Sequence, residues 1–220
     1  MHRKEKQVKV KVCGITCRRN FKGISNFPID FIGINLVTRS KRKVTKEKAK
    51  KIIASLPRSI KPVLILENEN AYKVLESCKP LKVHYIQLHG EESPEYCKEL
   101  KNKKLKIIKA LPANKLTLTK LKSYKGACDY ILIDSQNENK MGGTGKIANW
   151  KIARKIVLEA RKYNLPVFLA GGLNPENIAS AIKQVKPYGV DVNSGVESSV
   201  GKKDKNKLTN LFLSLNSKVR

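Results

Sequence analysis

A chain of 220 residues, 40% hydrophobic and 29% charged, suits one compact globular domain and excludes a disordered chain. Apolar runs such as Pro166 to Ala170 are too short to cross a bilayer, and Met1-His2-Arg3-Lys4-Glu5 has no apolar stretch behind it to form a secretory signal, so the cytoplasm is the expected compartment. Forty-six Lys and Arg against 18 Asp and Glu give a formal net charge of +28, a field that draws in anions: nucleic acid, anionic membrane or phosphorylated metabolites.

Behind a charged extension at roughly residues 1–7, eight short runs rich in Val and Ile read as strands: Val8 to Cys13, Phe31 to Leu36, Pro62 to Glu67, Val83 to Leu88, Leu105 to Ala110, Asp129 to Asp134, Pro166 to Ala170 and Tyr188 to Val192. Several are continuously apolar rather than alternating, as parallel strands covered on both faces are. The intervals hold one helix each. Phe21 to Phe27, with Gly23 inside and Pro28 behind, predicts a short or irregular helix. Thr45 caps a helix carrying Ala49, Ile52, Ile53 and Leu56, which stops at Pro57. Ser93-Pro94-Glu95 caps another, Asn149 a third, and Asn174-Pro175-Glu176 repeats the Ser93 pattern ahead of Ile178, Ala181, Ile182 and Val185. A last helix runs from about Lys205 to Leu215. Eight such units across residues 1–220 predict a single-domain (β/α)8 TIM barrel, an α/β fold with its ligand site at the C-terminal ends of the strands. The rival, a doubly wound open sheet, would usually show one glycine-rich turn after its first strand.

The basic residues gather in two runs: residues 41–51 hold seven Lys/Arg and residues 98–109 hold six Lys. Both fall largely on outer helices and their flanks with little aromatic residue to stack bases, which favours a solvated surface over a nucleic-acid face. A pure nucleic-acid-binding module remains the contrasting class. Five cysteines, an odd number without zinc spacing, fit reduced thiols rather than a disulfide scaffold. Three histidines, one of them His2, are too few for a metal centre, and no metal or cofactor is assigned.

In a barrel the residues ending each strand share one rim. Those ends read Cys13, Arg39 or Arg42, Asn68, Gln87 and His89, Lys109, Asp134, Gly171-Gly172 and Asn193-Ser194-Gly195. Cys13 reads either as a small buried hydrophobe or as a thiolate base whose pKa is lowered by positive surroundings. Asp134 reads as a cap or salt-bridge partner, or as a group that delivers a proton. His89 is a satisfied loop histidine or a neutral hydrogen-bonding residue, and an arginine hinged at the rim can fork a substrate carboxylate. Met141 to Lys146, containing Gly143, lacks the full spacing of a nucleotide-hydrolase loop and reads as a lid. Gly171-Gly172 and a short extra helix opened by Ser194-Gly195 match the recurrent phosphate seat of this barrel class.

Seven strings in order carry a resemblance over nearly the whole chain: Lys11 to Thr16; Ser40-Lys41-Arg42; Ile86 to Glu91; Leu132-Ile133-Asp134; Gly142 to Lys146; Leu169 to Asn177; and Gly189 to Glu197 followed by Gly201 to Asp204. Together they resemble the phosphoribosylanthranilate isomerase family of tryptophan biosynthesis. The resemblance implies Cys13 as general base, Asp134 as general acid and Arg42 near the anthranilate carboxylate. It implies Gly171, Gly172, Ser194 and Gly195 around the phosphate; Gln87 and His89 from the rim and Gly143 from the lid complete the candidate substrate contacts. The implied reaction is a cofactor-free Amadori rearrangement of an anionic phosphorylated small molecule, with no obligate nucleic acid and no membrane. Monomer and homodimer both stay open. Three departures stand out: Asn193 where serine is common, Cys17-Arg18-Arg19-Asn20 in place of an acidic stretch, and Asn149-Trp150 in place of Asp-Trp. Other phosphate-binding barrel activities form the second enzyme hypothesis: indole-glycerol phosphate synthesis, with Lys109 as acid, or sugar-phosphate epimerisation.

Overall fold

The computed structural model describes residues 8–134 and 149–216. Eight parallel strands close in sequence order into a barrel, each hydrogen-bonded to the next and β8 back to β1. They are β1 (Lys9–Val12), β2 (Phe31–Asn35), β3 (Lys61–Leu66), β4 (Tyr85–Leu88), β5 (Lys106–Pro112), β6 (Tyr130–Asp134), β7 (Val167–Ala170) and β8 (Gly189–Val192). The helices are α1 (Arg18–Lys22), α2 (Lys46–Ile53), α3 (Ala71–Cys78), α4 (Pro94–Asn102), α5 (Lys115–Lys120), α6 (Trp150–Lys162), α7 (Ile178–Val185) and α8 (Lys205–Asn216). A two-stranded antiparallel ribbon, β9 (Glu197–Ser199) and β10 (Lys202–Lys203), precedes α8. The open sheet is excluded.

The strands alternate between two cores. Phe31, Val63, Ile108, Leu132 and Phe168 fill the barrel interior, where Phe31 and Phe168 meet edge to face at 5.4 Å between ring centroids. Their neighbours in sequence, Ile32, Leu64, Ile107, Ile131 and Leu169, face the helices and join the larger outer core. Burial on both faces is why the strands read as continuous apolar runs. Gly189 fits against the ring of Phe168, since a Cβ there would lie 2.4 Å from Phe168 Cε1.

Capping fixes the helix starts. Thr45, Asn70, Ser93, Asn114 and Asn149 each accept a bond from a backbone N–H three residues on. Asn70 and Asn114 open α3 and α5. Two boundaries differ from expectation. The helix after β1 is five residues long and begins at Arg18 rather than near Phe21. The helix after β7 begins at Ile178, because Asn174 and Asn177 bond each other's backbone in a turn that delays it. Among the described residues no helix is long and apolar enough to cross a membrane. The charged extension at 1–7 and the expected lid with Gly143 lie outside the described residues.

Candidate active site

Side chains alternate in a strand, so Lys9, Lys11 and Cys13 share the inner face of β1. Register sets Lys11 opposite Asp191 of β8, and their side chains form an ion pair at 2.9 Å, with Lys11 fully buried. Asp191 keeps its other oxygen, Oδ1, buried without a partner among the described residues. Cys13, one residue past β1, is tied by its backbone N–H to Val192 O at 2.8 Å. Its thiol lies over Gly33 of β2, where a Cβ would approach Sγ to 2.8 Å. A side chain at residue 33 would therefore displace the sulfur.

Across the mouth, Gln87 and His89 lie at the end of β4 and just beyond it. Gln87 Nε2 is 2.8 Å from His89 Nδ1, while Gln87 Oε1 is buried without a partner among the described residues. Burial pushes the His89 pKa below the ordinary histidine range; the Asp134 carboxylate is the first of the charges that act on it, and Lys11 and Asp191 are also within reach. His89 is therefore neutral near pH 7. Asp134 closes β6 and is part-exposed.

The charge around Cys13 corrects one expectation. Lys11 and Lys203 both act to lower its pKa, but burial works harder, and the thiol is raised overall. Positive neighbours within a dry barrel do not outweigh the cost of placing a thiolate there.

Arg42 stands beside this group, its Cδ 2.6 Å from where a Cβ on Gly14 would lie. Gly14 has φ +75°, a backbone conformation that favours glycine. The guanidinium already makes a fork. Nε and Nη2 donate to the two oxygens of Glu197 at 2.8 and 2.5 Å, which leaves the Nη1 end for another anion. Glu197 also accepts from the fully buried Lys203 at 2.8 Å. Burial favours protonation of Glu197, yet Arg42 and Lys203 outweigh it and hold its pKa below the usual range. Arg39, the other rim arginine, is largely exposed and forks Glu67 instead.

The loops after β7 and β8 converge. Gly171 and Gly172 have φ of +93° and +64°, and Asn177 Nδ2 holds the Gly172 carbonyl at 2.9 Å. A Cβ on Gly195 would fall 2.0 Å from the Leu173 carbonyl oxygen, so only glycine permits this approach. The expected extra helix is a single 3-10 turn, Ser194–Val196, with no side-chain cap on its first N–H groups. Asn193 accepts from Lys203 Nζ through its backbone oxygen at 3.1 Å and through Oδ1 at 3.0 Å. The altered stretch after β1 is structural as well, since Asn20 bonds Gly201 O and the Lys203 N–H and so fastens β10 to α1.

Lys109 does not reach the mouth. It faces outward from β5, buried, and bonds Glu92 at 2.8 Å and Gly90 O at 2.6 Å. This removes the acid on which the indole-glycerol phosphate reading depended. Sequence reasoning gave no role to Lys11, Asp191, Glu197 or the Lys203 side chain. A lysine at period two from Cys13 in an apolar strand was the available signal for the first of these. Among the described residues no group of three His, Cys, Asp or Glu side chains could hold a metal ion. A groove at the opposite end of the barrel, bordered by Lys9, Arg161, Pro166 and Tyr188, has no buried unpartnered polar atom among its described residues.

Residues 10–213 match the family model for N-(5'-phosphoribosyl)anthranilate isomerase. Among curated relatives, the N-(5'-phosphoribosyl)anthranilate isomerase of Caldanaerobacter subterraneus is 40% identical over 202 residues, covering 91% of this chain and 94% of the relative. That of Aquifex aeolicus is 40% identical over 203 residues, covering 91% and 95%. Among solved structures, phosphoribosyl anthranilate isomerase from Thermotoga maritima aligns with a TM-score of 0.84 at 32% identity, covering 96% of this chain and 99% of that one.

Proposed function

This chain belongs to the N-(5'-phosphoribosyl)anthranilate isomerase family, and from that premise we propose that it converts N-(5-phosphoribosyl)anthranilate to 1-(2-carboxyphenylamino)-1-deoxyribulose 5-phosphate, with Asp134 as general acid and Cys13 as general base. A related phosphoribosyl anthranilate isomerase structure holds reduced 1-(o-carboxyphenylamino)-1-deoxyribulose 5-phosphate, a ligand of the same chemical type. Asp134 gives a proton to the furanose ring oxygen as the C1–O bond breaks, leaving an iminium at C1 and nitrogen. That cation acidifies the C2–H bond. The Cys13 thiolate removes the C2 proton, the C–H electrons form the C1–C2 double bond, and the nitrogen becomes neutral. The enolamine then gains a proton at C1 and loses one from its hydroxyl to give the ketone. Atoms balance without an external oxidant or cofactor.

The raised thiol pKa fits this order. Cys13 acts as base only after its own proton has passed to solvent, and the positive charge of the iminium favours that thiolate as the ring opens. Neutral His89 and the acceptors Gln87 Oε1 and Asp191 Oδ1, which have no partner among the described residues, suit the hydroxyl groups of a sugar. The uncapped 3-10 turn beside Gly171 and Gly172 suits a phosphate, and the Nη1 end of Arg42 suits the aromatic carboxylate. The observation that carries the reading is geometric: Cys13 just past β1 and Asp134 at the end of β6 are inward-facing positions on the same rim of a closed barrel, beside the loops that follow β7 and β8.

Cys13→Ala and Asp134→Asn test the assignment. Each is expected to keep the wild-type circular dichroism spectrum and lose at least about 10²-fold in kcat, followed as loss of the fluorescent anthranilate conjugate. Near-wild-type turnover in both would refute it.

A further inference from the structure

We propose that Lys11 is a positioning residue for the proton transfer: held by Asp191 on the inner face of β1 beneath Cys13, its ammonium supplies the countercharge on which the Cys13 thiolate forms. The proposal deepens the reading of Cys13 as base and rests on it. A lysine with no exposed surface inside a barrel needs a reason, since burying an ammonium costs several kcal/mol unless it is well paired. Asp191 gives part of that reason. The rest is Cys13, two residues on along the same inner face, which with Asp191 favours the Lys11 charge against burial. Period-two spacing on β1 sets both side chains on the inner face, and the ion pair with Asp191 fixes where the Lys11 ammonium lies.

The groups facing Cys13 come from four elements. Lys11 lies on β1, Asp191 on β8 and Lys203 on β10, while Arg42 enters from the loop after β2. The two cations Arg42 and Lys203 are shared with Glu197, whose carboxylate takes up much of their field. Lys11 is shared with Asp191, whose carboxylate keeps one oxygen unpartnered and draws the ammonium away from sulfur. Among these groups the Lys11 charge acts most strongly in lowering the thiol, and Asp191 most strongly opposes it. Burial remains the largest influence on the thiol, and among the charged groups this pair acts on it most strongly.

The test reads Cys13 directly. Iodoacetamide alkylation of the Cys13 peptide is followed by mass spectrometry against pH in the wild type, Lys11→Met, Asp191→Asn and the Lys11→Met/Asp191→Asn double variant. An opposite charge at this range moves a pKa by about one to three units. The midpoint is expected to rise by about one unit or more in Lys11→Met, and to fall in Asp191→Asn. The double variant leaves no unpaired charge and is expected to fold even if Lys11→Met does not, with a midpoint between those of wild type and Lys11→Met. In the isomerase assay, Lys11→Met is expected to lose about tenfold or more in kcat at neutral pH with KM little changed. A Lys11→Met or double-variant midpoint at or below wild type, in protein with the wild-type circular dichroism spectrum, overturns the proposal. Failure of the Cys13 assignment is distinguishable, because Cys13→Ala would then keep turnover while the alkylation midpoints still moved.

Discussion

Gly33→Ala adds one methyl group where the barrel has no room for it. The new Cβ would lie 2.8 Å from Cys13 Sγ, 3.0 Å from Cys13 Cα and 3.2 Å from Ile65 Cδ1. Carbon and sulfur settle near 3.5 to 4 Å, so the thiol must retreat by about 1 Å or β1 and β2 must part. Overpacking of this kind costs about 1 to 3 kcal/mol of stability. The catalytic cost is larger, because a 1 Å misplacement of a reacting group can lower the rate about 10²-fold. Steady-state kinetics beside urea unfolding separate the two effects. Gly23→Ala is the control: its Cβ would meet nothing closer than 3.7 Å, and both activity and stability should hold. If Gly33→Ala kept kcat within twofold of wild type, the thiol's position would not matter and Cys13 would lose its role as base.

Alkylation of Cys13 in the wild type should follow thiolate formation with a midpoint above the roughly 8.5 of an unperturbed cysteine, because burial outweighs its positive neighbours. The rate should climb as pH rises towards that midpoint, and a midpoint below 8 would contradict the burial argument. Arg42→Ala should raise KM through loss of a charged hydrogen bond worth about 1.5 to 3 kcal/mol, with Lys203 left to hold Glu197; an unchanged KM would remove Arg42 from the substrate. Phe168→Ala should cost about 3 to 5 kcal/mol in chemical denaturation, since the ring is fully buried among Phe31, Tyr130 and Tyr188. A loss under 1 kcal/mol would mean that the interior layer repacks.

The barrel was legible because several strands are buried on both faces and read as near-continuous apolar runs at an even spacing. Helix starts were legible where one residue did the capping, as at Thr45, Ser93 and Asn149. Asn174 misled because two asparagines share a turn, which delays α7 to Ile178. Cys13 and Asp134 could be found as polar residues closing apolar strands. The surroundings of the thiol could not, because they depend on registers between distant segments: Asp191 opposite Lys11, Glu197 against Arg42, and Lys203 returning through the ribbon. Lys109 shows the converse limit, since a strand-end position says nothing about which face a side chain takes. Its carboxylate partner, Glu92, also accepts from the Asn68 and Gly90 N–H groups, a local role that spacing alone did not suggest.

The first strand and the final segments of the chain meet at a seam where Thr16 and Asn20 hold the Gly201 carbonyl and Lys203 lies within the field of Cys13. The sulfur leaves the ribosome long before Asp191 and Lys203, yet its ionic neighbourhood depends on both. A nascent polypeptide that stops after β7 has the thiol but neither of those partners. On the proposed reading of Cys13 as base, the ionic surroundings of the thiol are complete only once β8 and the ribbon have closed the ring.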